Sequence, residues 1–207
     1  MNEIQANAVK PKQGGYTIIE LGIALTIIAV LIVAGLAGVT TVLNSSKANA
    51  QIEDSGIVLA KLQSTLTSSN VSGMTTAAAV GSAFFPTSRV LNNVVTNKFG
   101  GGEFIASNAA ALTATEGVVV GANVGAIYTI TGVPTAVCAD IASSLANLSN
   151  SAWIHTTPKD ETSAGASAGL VAATSQIKAP GGVVNAVRIG TQCNSAATVN
   201  LAFFIRP

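Results

Sequence analysis

From Leu21 to Val39 the chain carries no charged residue, and this run sets the first limit on what the protein can fold into. At about 1.5 Å per helical residue it crosses most of a hydrocarbon core about 30 Å thick, so the segment reads as one membrane-length helix. A single carboxylate, Glu20, stands at its mouth. An acidic side chain costs roughly 2.5 to 3.5 kcal/mol at a bilayer centre, so a charge in such a place implies a function and a partner. The alternative is that Glu20 lies close enough to the helix end to reach lipid headgroups.

The flank before the run is polar. Residues 1–15, MNEIQANAVKPKQGG, carry Lys10 and Lys12 and end in Gly14 and Gly15. In a secretory signal peptide a small-residue cleavage site follows the apolar stretch. Here a cut after Gly15 would leave the apolar stretch on the mature chain. With no basic residue on the far side until Lys47, the two lysines predict a cytoplasmic N-terminus and an exported remainder.

Gly15, Tyr16, Thr17, two apolar residues and Glu20, abutting a long uncharged helix, resemble the class III signal of type IV pilins and pseudopilins. The resemblance implies that a membrane-embedded aspartyl prepilin peptidase removes residues 1–15 and N-methylates Tyr16. Tyrosine in place of the phenylalanine usual in the type IVa branch leans toward type IVb. A second stretch, FFPTSRVLNNVVTNKFGGG, is similar to a segment of type IVb pilins of the thin conjugative group, which stand beside the bundle-forming and toxin-coregulated pilins. The family pattern also gives Glu20 its partner, the terminal amine that cleavage creates on Tyr16 of a neighbouring subunit. Opposite charges about 4 Å apart attract by several kcal/mol even at an effective dielectric of 20.

Beyond the apolar run the helical pattern continues to about Ser69. Ile52, Val58, Leu59, Leu62 and Leu66 recur at helical spacing, against a polar side of Lys47, Gln51, Glu53, Asp54, Lys61 and Gln63. Gly22, Gly35 and Gly38 each weaken the first half by roughly 1 kcal/mol relative to alanine. They mark either points where the helix bends or opens on assembly, or close packing between membrane helices.

From Val71 to Gly125 the composition is that of loops and short strands. Val94 to Ser107 reads as strand, glycine turn, strand; the three glycines lack the Lys-Ser/Thr pair of a phosphate cradle. Ala126–Val133 reads as a strand. Pro134 opens a helix over Thr135–Leu148, with Val137, Cys138, Ile141, Leu145 and Leu148 on one face. Ala152–His155, Val183–Ile189 and Val199–Ile205 are further strands, and residues 156–180 an exposed loop. The order predicts an α+β fold in which a long N-terminal spine helix packs on a mainly antiparallel sheet. The resemblance names it a pilin fold. The expected segments are 1–15, leader; 16–43, transmembrane and filament-core half of the spine; and 44–207, head.

Cys138 and Cys193 read either as one bridge in an exported domain or as two buried thiols in a cytosolic one. The resemblance to type IVb pilins implies the bridge, stapling residues 138–193. His155 shares a strand with Trp153 and reads as structural. No histidine pair, cysteine cluster or acidic loop offers metal-ligand spacing, and Asp160 with Glu161 is a thin basis for calcium. No serine sits in a G-x-S-x-G setting. We expect no enzyme, no cofactor and no metal. A net charge of +1 without a basic stripe argues against nucleic acid. Loss of Lys10, Lys12 and Glu3 from ten basic and nine acidic side chains would leave eight of each, a neutral surface suited to association.

The expected function is the major subunit of a type IVb pilus. The chain would be held in the bacterial inner membrane by one pass with a cytoplasmic N-terminus, then polymerised into an extracellular filament for adhesion, aggregation or mating contact. The resemblance implies as partners copies of the chain itself, the prepilin peptidase, an inner-membrane assembly platform and a cytoplasmic ATPase. The alternatives are a minor pilin or type II secretion pseudopilin, and a membrane-anchored periplasmic binding domain that never polymerises.

Overall fold

The computed structural model describes residues 15–68, 73–107, 112–113, 119–120, 124–156 and 175–206. The chain divides into two compact units, Met1–Val42 and Leu43–Pro207. One helix, α1 (Ile18–Ser68), begins in the first unit and ends in the second. Within the second unit its apolar stripe is buried at Ala48, Val58, Leu59, Leu62 and Leu66, and Lys47, Glu53, Lys61 and Gln63 face water. Gln51 departs from the expected pattern, and Ser55, one turn on, lies with it. Both are fully buried, because polar groups from the sheet meet them there.

A short helix, α2 (Thr76–Gly81), follows, capped by Thr75, whose side chain accepts from the Ala78 N–H. A 3-10 turn (Thr87–Arg89) leads into β1 (Val90–Leu91) and β2 (Val94–Thr96), which pair across Asn92 and Asn93, both at positive φ. β3 (Gly102–Ser107) comes after the glycine turn that the sequence predicts. The Asn97 side chain organises this turn, accepting from the Phe99 and Gly101 N–H groups and donating to the Thr131 carbonyl. Gly100 has φ +88°, and a Cβ on Gly101 would run into the Thr131 backbone, so the run of glycines serves close backbone approach. β4 (Leu112–Thr113) and β5 (Val119–Val120) form a separate two-stranded ladder.

β6 (Ala126–Pro134), α3 (Thr135–Leu148), β7 (Ser151–His155), β8 (Gln176–Lys178), α4 (Ala186–Cys193) and β9 (Thr198–Ile205) complete the unit. The strands form one antiparallel seven-stranded sheet in the order β1-β2-β3-β6-β9-β7-β8. The last strand therefore lies between β6 and β7. Alternation along the strands sends Ile105, Tyr128, Ile130, Ile154, Leu201 and Phe203 to the face shared with α1 and α3, and Ile127, Trp153, Ala202 and Phe204 to the other. The α+β architecture expected from the sequence is the one observed.

Three expectations need correction. Val183–Ile189 is not a strand: residues 182–185 are irregular and α4 begins at Ala186. The Asn185 side chain caps α4 by accepting from the Arg188 N–H at 3.0 Å, and Ile189 and Cys193, one turn apart, are the buried pair. Residues 156–180 are not all loop, because β8 pairs with β7 through Trp153↔Gln176 and Ala152↔Lys178. Ile177 is buried there, and Lys178 Nζ donates to the Ala146 and Ser149 carbonyls at the end of α3. Leu148 is half exposed at the last position of α3, beside Gly56 of α1, whereas Ala142 and Ala146 supply the inner face.

Cys138 on α3 and Cys193 on α4 form a disulfide, with Cα atoms 5.7 Å apart and a sequence separation of 55. A loop of that length constrains the unfolded chain by about 4 kcal/mol. Reduction, or the pair of substitutions Cys138→Ala and Cys193→Ala, should lower the stability of the second unit by about that amount, read from chemical denaturation followed by the fluorescence of Trp153.

Candidate assembly interface

The first unit contains the N-terminal part of α1. Gly15 to Thr17 precede the helix, and Thr17 caps it: its carbonyl accepts from the Leu21 N–H at 3.1 Å and its Oγ1 from the Glu20 N–H at 3.2 Å. Threonine followed three residues later by glutamate is half of a capping box, and a carboxylate in the first turn suits the helix dipole. Glu20 is exposed, and among the described residues no cation pairs with its carboxylate. Tyr16 is 83% exposed. Residues 1–14, with Lys10 and Lys12, lie outside the described residues.

Every large apolar side chain from Ile18 to Val42 is exposed, among them Val30, Leu31 and Val33 at 64 to 70%. Burying such a side chain gains roughly 1.5 to 3 kcal/mol, so a helix with this surface seeks a medium other than water. Among the described residues this is the one helix long and apolar enough to cross a membrane. Thr26 satisfies its hydroxyl inside the helix by donating to the Ile23 carbonyl at 2.8 Å. Gly22, Gly35 and Gly38 take ordinary helical conformation, and a Cβ on any of them would meet open space.

The other residues singled out by the sequence lie apart from this surface in the chain. Cys138 and Cys193 are joined in the second unit, and His155 is buried in β7. Asp160 and Glu161 fall outside the described residues. Among the described residues no three His, Cys, Asp or Glu side chains gather as metal ligands.

One polar cluster has no counterpart in the sequence reading. The Glu103 carboxylate on β3 is fully buried. It pairs with the Arg89 guanidinium and accepts hydrogen bonds from Gln51 Nε2 at 2.8 Å and Tyr128 Oη at 2.7 Å. Gln51 Nε2 also donates to Ser55 Oγ at 2.8 Å, and Ser55 lies 3.0 Å from Tyr128 Oη, closing a ring. Arg89 reaches on to Asp54 at 3.1 Å, Lys98 Nζ lies 3.0 Å from the same carboxylate, and the Lys98 N–H donates to Gln51 Oε1. Gln51, Asp54 and Ser55 share one helix face, a spacing visible in the sequence, yet nothing local shows that their partners lie on β3 and β6.

In sequence, no protein-family model and no curated protein matches this chain. Solved structures similar in fold include two pilins. One is the type IVb pilin from Salmonella typhi, 15% identical, covering 77% of this chain and 99% of that one with a TM-score of 0.48. The other is TcpA from the Vibrio cholerae El Tor biotype, 18% identical, covering 78% and 98% with a TM-score of 0.44. Both are type IV pilins. At these identities the likeness extends to the fold alone.

Burial pushes the Tyr128 phenol up from its ordinary value near 10, against a smaller opposing effect of its hydrogen bond with Ser55 and of the Arg89 charge. The folded state therefore holds this proton more tightly than the unfolded one. The resulting stability is whole below pH ~10 and is lost as pH rises beyond it. The chain should lose stability between pH 9 and 11 more steeply than a Tyr128→Phe variant, measured as denaturation midpoints at both pH values.

Proposed function

We propose that this chain is the major structural subunit of a type IVb pilus. The observation that carries the reading is the capped, Glu20-bearing turn that opens a fully exposed apolar helix directly after Gly15 and Tyr16. Residues 1–15 serve as the leader, residues 16–43 as membrane anchor and later filament core, and residues 44–207 as the head. Prepilin peptidase cuts after Gly15 and methylates Tyr16.

Before assembly, lipid surrounds the apolar helix in the inner membrane, with the N-terminus cytoplasmic. On entry to the filament the helix exchanges lipid for the apolar helices of its neighbours. Burial against hydrocarbon side chains replaces burial against acyl chains, so the exchange of surroundings is nearly neutral for Ile18 to Val42 and opposed only at Glu20. The new amine on Tyr16 of an adjoining protomer removes that opposition, because two opposite charges brought together in a low-dielectric stem attract strongly. The pair also fixes the axial position at which one helix meets the next. Work of extraction from the membrane falls to a cytoplasmic ATPase acting through an assembly platform. The extracellular filament then serves adhesion, aggregation or mating contact.

Mass spectrometry of the protein from sheared surface fibres should give an N-terminus at methylated Tyr16. An intact Met1, or a cut elsewhere, would favour a plain membrane anchor. A fibre in which this chain is a rare component would mark a minor pilin. Glu20→Ala should be cleaved normally and yield no fibres; normal fibres from that variant would overturn the role given to Glu20.

A further inference from the structure

Aliphatic contact alone leaves the register of α1 on the sheet weakly chosen. Val58, Leu59, Leu62 and Leu66 form a stripe, all at most 6% exposed. If the helix moved by one turn, about 5.4 Å, Leu62 and Leu66 would take the places of Val58 and Leu62, aliphatic for aliphatic. On the apolar side Gln63, brought to the place of Leu59, and Ile52, brought to that of the small buried Ala48, oppose the slide. The strong opposition comes from the polar face. The slide would carry Val58 and Leu59 to the places of Asp54 and Ser55, opposite Arg89 and Tyr128, and would strip Glu103 of the Gln51 amide.

We propose that the ring of Gln51, Ser55, Tyr128 and Glu103, with the Arg89 and Lys98 ion pairs, is a register lock: it selects one placement of α1 on the sheet and adds little to the stability of the head. The groups that meet in it come from four parts of the chain: Gln51, Asp54 and Ser55 from α1, Arg89 from the 3-10 turn, Lys98 from the glycine turn and Tyr128 from β6. Replacing a buried ion pair by well-packed apolar groups is commonly neutral or stabilising, whereas a polar group at one defined position of a helix interface is a known means of fixing register. One-turn shifts between packed elements are also a recognised form of bistability. The lock does not depend on the filament reading above.

The test uses the full chain, isotope-labelled in detergent micelles, with Arg89→Met, Glu103→Leu and Tyr128→Phe combined. The denaturation midpoint should stay close to that of the parent. The amides of residues 44–66 should split into two or more sets of resonances, the second at about 10% or more of the intensity, where the parent gives one set. One set with the parent's helix-to-sheet contacts would overturn the proposal. If the triple variant does not fold, Gln51→Leu combined with Asp54→Leu and Ser55→Ala decides, since it removes every contribution of α1 to the cluster and leaves the Arg89–Glu103 ion pair in place. Doubled resonances in a folded head support the lock. A single set, or failure of this variant to fold, refutes it, the latter by showing that the network is needed for stability.

Discussion

The carboxylate of Glu103 has no access to water and takes its partners from three separate parts of the chain. A lone charge in that position would cost several kcal/mol, so the carboxylate requires Arg89, Gln51 and Tyr128 around it. The requirement is mutual. Arg89 is itself almost fully buried and spends its remaining donors on Asp54 and the Thr96 carbonyl. Each of these groups offsets the cost of burying the others, so the cluster favours one placement of α1 on the sheet more than it stabilises the fold.

The same helix is built for two media. In the second unit it offers one apolar stripe with a polar cluster beside it, and the sheet answers both. From Ile18 to Val42 it offers apolar side chains on all sides, and no polar face remains that water could solvate. The Thr17 cap begins this part with the Glu20 N–H already bonded, which leaves one fewer unsatisfied donor at the helix start. The proposed function uses both parts, with the apolar part passing from lipid into a bundle of like helices.

The sheet of the second unit is completed by β9. β9 lies inside the sheet, paired with β6 and β7 over most of its length, so the sheet is continuous only once this strand has entered. The disulfide ties α4, the element just before β9, to α3, the element just after β6. It thereby shortens the search that a late, non-local strand pairing demands. β8 is held at the sheet edge by Lys178, which donates to the last carbonyls of α3, and burial lowers the affinity of that amine for its proton.

Local pattern was enough for the elements whose period is long or whose ends are marked. The spine helix, α3 with its proline start and buried Val137, Ile141 and Leu145, the glycine turn before β3, and the strands β6, β7 and β9 were all legible, because periodicity and turn chemistry are properties of neighbouring residues. The apolar run and Glu20 were equally plain. Tertiary structure decided the rest. Val183 to Ile189 has strand composition, yet a cap at Asn185 and the bond from Cys193 to Cys138 hold its second half as helix. Gln176 to Lys178 became a strand because β7 offered an edge. Gln51 and Ser55 look like surface residues of an amphipathic helix and are buried, because residues 50 and more positions away bring a carboxylate and a phenol to meet them. A side chain's own chemistry sets what it needs, but whether water or another part of the chain supplies it is settled only when distant segments come together.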